Sequence, residues 1–266
     1  DTTKDIARKT TTHVYDYTWG DDFSAARNFS LSKATGDWIL VLDADEVIAQ
    51  EDHHTIKNLL RQKEYVGYAF PQISYTNDTT QYGYVPLSSS SKKYLSYAAH
   101  FSGYISCNII RLFRNHLDIM FEGVVHESVD ASCLSHGAVE KTDIWIHHYQ
   151  FERGADSVKT KQLHYLALYE KNLDSYPNKA RAHRDIASIY YTHLHNYDKA
   201  AYHFQQSLAL NDQHKKTYIG LAACYLQQGK FHEAEQLSKH GLNLYPDDSQ
   251  LQHLYIHCQS HRKIYK

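Results

Sequence analysis

The spacing of apolar residues changes once along the chain, near residue 152. Before that point, short apolar runs alternate with segments of helical spacing, as in α/β domains. The continuous apolar run 38–42 predicts a strand buried on both faces. Alternating apolar positions predict a strand over 65–75, in which Pro71 indicates an edge or a bulge. Further predicted elements are a strand over 11–17 and helices over 24–34 and 51–62, giving a strand–helix–strand unit.

Beyond residue 154 the apolar residues keep helical spacing and no strand pattern follows. Matching residues recur 34 positions apart at Tyr191 and Tyr225, Ala200 and Ala234, Ser207 and Gly241, and Leu210 and Leu244. This is the period of the tetratricopeptide helix–turn–helix repeat. The sequence therefore predicts two domains, an α/β domain over 1–152 and an all-α repeat domain over 153–266.

A polar segment rich in tyrosine and serine, 76–104, interrupts the α/β pattern. A segment of this length inside a compact domain is either a disordered insertion or a substrate-facing loop. Its length alone does not decide between the two.

Composition narrows the classes of function. The 28 basic and 30 acidic residues give a net charge of −2, which leaves no global basic field for nucleic acid or a membrane surface. The four cysteines lack metal-site spacing and fit reduced thiols in a cytoplasmic protein. No apolar run approaches the roughly 18 residues of a membrane span, and there is no signal peptide. The chain starts without Met at Asp1, so we expect a preceding strand to be missing.

The central apolar run ends in acids, with Asp43, Asp45 and Glu46 inside four positions. Ligands of open α/β sheets bind at the carboxyl ends of strands. Two acids one residue apart can there hold a divalent cation, which in turn holds a diphosphate. The pattern also begins the haloacid-dehalogenase phosphatases, with Asp43 as nucleophile and Asp45 as general acid, but those place it on their first strand.

Other polar residues fall near the same predicted edge. Arg27 suits a phosphate oxygen and Asn28 adds a neutral donor, although a solvated arginine on a helix surface is the alternative. Arg111 and Arg114 are three apart on a predicted strand, so at most one of them faces the cleft.

Histidines close the predicted α/β domain. His148 shares a strand face with Ile144 and Ile146 and is expected to point toward packed protein, whereas His147 points the other way. A lone inward histidine is more often a satisfied core residue than a ligand.

In their order, these motifs resemble the family 2 glycosyltransferases of the GT-A fold. The motifs are FSAARN at 23–28, WILVLDADE at 38–46, GY at 103–104, RLFR at 111–114, FEGVVHE at 121–127 and IHHY at 146–149. The later ones match a subgroup whose catalytic domain is fused to tetratricopeptide repeats, which includes the bacterial peptide S-glycosyltransferases of the sublancin type.

The resemblance implies a Rossmann-like GT-A domain with a mixed, mostly parallel sheet, followed by the all-α repeat domain. It also implies an inverting transfer of a sugar from a nucleotide-diphosphate sugar, with a uridine diphosphate sugar expected, assisted by Mg²⁺ or Mn²⁺. The residues implied for the donor diphosphate are Arg27, Asn28, Asp43, Asp45 and Asp1. Asp45 and His148 are implied as metal ligands, His148 because a late histidine can complete the metal site in this fold.

An inverting transfer needs a base for the acceptor proton. Glu127 stands where the family usually places it, and His126 is the second choice. The alternative is that this pair only shapes the acceptor pocket.

A peptide or protein acceptor is expected, bound by the repeats and by segment 76–104. The alternatives are a cell-envelope glycan or lipid-linked acceptor, or a scaffold without catalysis that binds a protein partner. The expected partners exclude nucleic acid, and the sequence leaves open whether the chain forms a homodimer.

Overall fold

The computed structural model describes residues 2–79, 84–87, 89–149, 155–210 and 213–264. The chain divides into two compact units, Asp1–Glu152 and Arg153–Lys266. The first combines helices with a seven-stranded sheet, and the second is helical throughout its described elements. Within the described ranges, no helix is both long enough and apolar enough to cross a membrane.

The first unit alternates helices and strands. Its helices are α1 (Thr3–Arg8), α2 (Phe23–Leu31), α3 (His53–Leu59) and α4 (Asp130–His136), with 3₁₀ turns at Gln50–Asp52 and Ser89–Tyr97. Its strands are β1 (Trp38–Leu40), β2 (Glu46–Ile48), β3 (Tyr65–Thr76), β4 (Tyr84–Pro86), β5 (Gly103–Arg114), β6 (Ala138–Lys141) and β7 (Ile146–His148).

The strands form a mixed sheet in the order β1-β5-β3-β7-β2, with β4 beside β5 and β6 beside β3. The mixed sheet is as predicted, but the expectation that it is mostly parallel is wrong. Four of the six ladders between described strands are antiparallel. β5 returns antiparallel to β3, and the described residues between them hold no α-helix of the kind that usually crosses over between parallel strands.

The apolar run 38–42 is not buried on both faces, which corrects a second expectation. Ile39 is buried, but Leu40 is 41% and Leu42 is 39% exposed. β1 pairs only with β5 among the described strands, so one edge of the run has no strand beside it. An apolar run alone does not reveal which neighbours cover it.

The predicted strand over 11–17 does not form, and with it the first strand–helix–strand unit is wrong. Within the described part of the chain, no ladder includes these residues, and most of them are exposed. β-branched and aromatic residues favour a strand only where a neighbouring strand supplies hydrogen bonds and packing. The helix predicted over 24–34 forms as α2, but it begins at Phe23 and ends at Leu31. Asp22 caps its start, because the Asp22 side chain accepts a hydrogen bond from Ala25 N at 2.9 Å.

Pro71 lies in the middle of the sheet rather than at its edge. β3 pairs with β5 on one side and, on the other, with β6 as far as Ala69 and with β7 from Gln72 onward. Pro71, which has no N–H, therefore occupies the gap where β3 changes partner. The expected bulge is present nearby, between Tyr68 and Ala69.

The described part of segment 76–104 packs on the sheet, whereas residues 80–83 and 88 lie outside the described ranges. β4 pairs with β5, and Tyr94 and Ala98 are buried. For the described residues this packing removes the alternative of a disordered insertion.

The second unit is a succession of paired helices. They are α5 (Ala155–Asn172), α6 (Lys179–Thr192), α7 (Tyr197–Ala209), α8 (Lys215–Gln227), α9 (Phe231–Leu244) and α10 (Ser249–Ile264). Ala200 and Ala234, which are 34 positions apart, are both fully buried, as the repeat predicts. Buried Ser207 donates a hydrogen bond to Ala180 O at 2.8 Å and so joins α7 to α6.

Candidate active site

A tight turn connects β1 to β2 and fixes the acids at the end of the apolar run. Glu46 N donates to Asp43 O at 3.0 Å, and Asp43 N donates to Glu46 Oε2 at 2.9 Å. The Glu46 side chain is fully buried and also accepts a hydrogen bond from Gln72 on β3. A buried carboxylate requires such partners because its desolvation is costly.

Arg111 on β5 pairs with two of the acids in this turn. Its Nη2 donates to Glu46 Oε1 at 2.7 Å and to Asp43 Oδ2 at 3.0 Å. Arg114 instead lies over the Trp38 ring, 4.5 Å from its centroid. Only one of the two arginines therefore faces the acids, as the strand alternation predicts, whereas its contact with buried Glu46 has no signal in the sequence.

Arg27 on α2 joins two carboxylates that are far apart in sequence. Its Nη2 donates to Asp43 Oδ1, and its Nε donates to Glu127 Oε1 at 3.0 Å. Its guanidinium carbon also lies 5.7 Å from the Phe121 ring centroid. The alternative of a solvated surface arginine is therefore wrong, since the side chain is 27% exposed and paired on both sides.

The pKa values of Asp43 and Arg27 reflect their pairing. Burial on its own raises the pKa of Asp43, but the positive charges of Arg27 and Arg111 outweigh burial and hold it below its ordinary value. Burial on its own lowers the pKa of Arg27, and the carboxylates of Asp43 and Glu127 reverse the shift. Both groups are thus held in their charged forms.

Glu127 is presented by a loop, residues 122–128, which is closed by hydrogen bonds between Glu122 and Ser128 in both directions, at 2.9 and 3.0 Å. Val125 anchors the loop as a fully buried residue, and Phe23 N donates to Val124 O at 3.0 Å. The loop is therefore fixed against the beginning of α2.

Asn28 and His126 flank the Arg27–Glu127 contact in different ways. The Asn28 amide donates to Phe121 O at 2.9 Å and accepts from Phe121 N at 2.8 Å, so it ties α2 to the polypeptide leading into loop 122–128. Its role as a diphosphate ligand stays a prediction. His126 is exposed and has a φ of 52°, a left-handed conformation that histidine adopts more readily than most residues. Asp1 lies outside the described residues.

Asp45 and His148 meet at the other side of the turn. β2 pairs with β7 so that Glu46 lies opposite His148, and this brings His148 Nε2 to 3.6 Å from Asp45 Oδ2. Ser74 Oγ lies 2.9 Å from His148 Nδ1 and orients the ring. Neither side chain is fully buried, at 17% exposed for His148 and 31% for Asp45.

This pair fits a divalent ion only as a partial set of ligands. The described His, Cys, Asp and Glu residues include no group of three that could hold an ion. Mg²⁺ is commonly bound by one or two protein ligands together with substrate phosphates, and a metal-binding histidine is usually oriented through its second nitrogen. Asp45, with His148 held by Ser74, meets both conditions.

His147 points to the face opposite Ile146, as the strand alternation predicts. That face is buried as well, and His147 is fully buried. Tyr97 stacks on it at 4.3 Å between ring centroids, and Tyr75 Oη lies 2.7 Å from its Nδ1. Burial lowers the pKa of His147 to about 4.

A cleft of about 420 Å³ opens between α2 and the exposed side of the apolar run. Arg27 and Phe121 line it together with Leu40 and Leu42. The cleft therefore places the paired charges beside an apolar surface.

Two protein families match the chain, one on each unit. The family model for glycosyl transferase family 2 matches residues 1–118, and the tetratricopeptide repeat model matches residues 191–255. A TPR repeat-containing protein of Synechococcus elongatus is 38% identical over 135 residues, which cover 51% of this chain and 28% of that protein. The chain thus spans little more than a quarter of this curated relative.

Solved structures similar to the chain include tetratricopeptide proteins. The first TPR of Spaghetti (RPAP3), bound to an HSP90 peptide, is 20% identical with a TM-score of 0.38, and the match covers 40% of this chain and 84% of that one. The Sgt2 TPR domain from Aspergillus fumigatus is 15% identical with a TM-score of 0.36, covering 42% and 73%. The two family matches alone place a glycosyl transferase family 2 domain in residues 1–118 and tetratricopeptide repeats in residues 191–255.

Proposed function

We propose that this protein is an inverting glycosyltransferase that moves a sugar from a nucleotide-diphosphate sugar to a peptide or protein side chain. The observation that carries the proposal is the contact of Arg27 with both Asp43 and Glu127. Arg27, a cation suited to binding phosphate, thereby lies next to Glu127, a carboxylate suited to proton transfer. Both lie beside Asp43, one of the acids that follow β1. The family 2 match over 1–118 supports the same reaction class.

In the proposed reaction, Glu127 takes the proton of the acceptor hydroxyl or thiol, with His126 as the second candidate base. The acceptor atom forms a bond to the anomeric carbon from the face opposite the diphosphate. The bond from that carbon to the diphosphate oxygen breaks, and the electron pair leaves on the diphosphate. Arg27 stabilises the negative charge that develops there.

Asp45 and His148 would hold Mg²⁺ or Mn²⁺, and the ion would neutralise charge on the leaving diphosphate. Asp43 is held by two arginines, so in this proposal it positions Arg27 and Arg111 rather than the ion. Asn28 remains a proposed donor-side residue through its place beside Arg27.

The repeats and segment 76–104 are proposed to bind an acceptor of polypeptide nature. Tetratricopeptide arrays present extended concave surfaces that can bind a polypeptide. A repeat scaffold that binds a partner without catalysis is the second candidate, and the repeat match at 191–255 is the observation that favours it.

Thermal unfolding with a panel of nucleotide-diphosphate sugars, uridine diphosphate sugars among them, and Mn²⁺ separates the two candidates. We expect stabilisation of the unmodified protein and none for Asp45→Asn. The control is Asp37→Asn, an exposed acid just before β1, which should be stabilised as the unmodified protein is. If no nucleotide sugar shifts the unfolding temperature of the unmodified protein, the scaffold function is favoured instead.

A further inference from the structure

The two contacts of Arg27 use the same edge of its guanidinium group. Nε and Nη2 form the fork through which an arginine grips a phosphate with two parallel hydrogen bonds. Here Nε is bonded to Glu127 and Nη2 to Asp43. A diphosphate that binds Arg27 through this fork must therefore displace at least one of the two carboxylates.

The two carboxylates are not held equally. Asp43 has a second arginine, Arg111, at 3.0 Å, and its position is fixed by the turn to Glu46. The carboxylate of Glu127 makes no other hydrogen bond or ion pair with the described residues. Glu127 is therefore the partner that an arriving phosphate replaces more easily.

We propose that Arg27 couples donor binding to release of the base: the diphosphate takes Arg27 Nε from Glu127, and the freed carboxylate then accepts the acceptor proton. This inference rests on the proposed function. Its consequence is that Glu127 and the diphosphate compete for Arg27, so that the base is held while Arg27 is paired with it and becomes available when the donor is bound.

The competition predicts that weakening the Arg27–Glu127 contact tightens nucleotide binding. The probe is uridine diphosphate with Mg²⁺, titrated calorimetrically into the full chain, so that no acceptor or turnover is needed. Glu127→Gln should lower the Kd by about threefold to tenfold, the range expected for an ion pair between half-buried groups. In an Arg27→Met background the same change should alter the Kd by less than about twofold, since a residual effect there reports only repulsion through space.

Two further variants separate contact from charge. Glu127→Asp keeps the negative charge but shortens the side chain, so tightening by this variant comes from releasing Arg27, and it replaces Glu127→Gln should that variant not fold. Glu122→Gln removes an equal charge from the exposed other end of loop 122–128 and should leave the Kd within about twofold.

The possible results separate a failure of the Arg27–Glu127 coupling from a failure of the proposed function. The coupling is overturned if Glu127→Gln tightens the binding of uridine diphosphate equally with and without Arg27. It is also overturned if both Glu127 variants bind uridine diphosphate more weakly. Neither result affects the proposal that the protein binds a nucleotide. If the unmodified protein binds neither uridine diphosphate nor any other nucleoside diphosphate with Mg²⁺, the proposed function and the coupling both fail.

Discussion

Replacing Arg111 by methionine tests whether the acids after β1 depend on this one cation. Arg111 is bonded to Glu46 at 2.7 Å and to Asp43 at 3.0 Å, and the Glu46 side chain is fully buried. Removing one partner of a buried ion pair costs about 3–5 kcal/mol, because the other charge is left unpaired. Gln72 and Asp43 N still donate to Glu46, so we expect a loss near the lower end, about 3 kcal/mol.

Urea unfolding followed by tryptophan fluorescence measures the loss of stability in the N-terminal unit. The signal comes from that unit alone, because Trp19, Trp38 and Trp145 all belong to it. The double variant Arg111→Met, Glu46→Gln should regain part of the stability, since it removes the unpaired charge as well. Arg114→Met is the control, because Arg114 donates to the backbone oxygens of Tyr65 and Gln62 rather than to an acid.

The pH dependence gives a second check. The pKa of Asp43 lies below its ordinary value of about 3.9, so the stability from its pairing is present above that pH and is lost as pH falls through the lower folded pKa. The difference between Arg111→Met and the unmodified protein should therefore shrink below about pH 4. A loss under about 1 kcal/mol at pH 7, or a loss of the same size at pH 3, would show that pairing with Arg111 does not stabilise these acids.

Two more predictions test the packing of buried residues, one in each structural unit. Burial keeps the pKa of His147 at about 4, so the unfolded chain takes up a proton first and stability should fall by about 2–3 kcal/mol between pH 6.5 and 4. His147→Phe should flatten that slope in urea unfolding at a series of pH values, and an unchanged slope would contradict the assignment. In the repeats, a Cβ at Gly220 would lie 2.2 Å from Cζ of buried Phe204, so Gly220→Ala should cost about 1–3 kcal/mol by circular dichroism, whereas Gly20→Ala, with open space around it, should cost almost nothing.

The repeat unit could be predicted well because its signal is local. The positions of Ala200 and Ala234 require small residues where helices pack closely, and this requirement recurs with the repeat. The pairing of strands could not be read in the same way. The apolar run at 38–42 looks alike whether one or both of its sides are covered, and only the neighbours of β1 decide.

For the candidate site, the residue types were predictable and their pairing was not. Arg27 and Glu127 are 100 positions apart, and their contact depends on the docking of loop 122–128 on α2 through Phe23. Glu46 stood out only as one of the acids after the apolar run, and Arg111 only as one of two arginines of which at most one faces the cleft. Their pairing follows only from the antiparallel return of β5 beside β1.

Mass spectrometry of candidate peptides incubated with the protein, Mn²⁺ and a panel of nucleotide-diphosphate sugars shows whether the protein transfers a sugar to a peptide. We predict a mass increase of one sugar residue on a peptide with the unmodified protein, and its loss with Glu127→Gln although that variant still binds uridine diphosphate. The Asp37→Asn control should transfer normally. Transfer by Glu127→Gln at the unmodified rate would contradict the assignment of the base, and the absence of transfer from every donor to every peptide would contradict the proposed function.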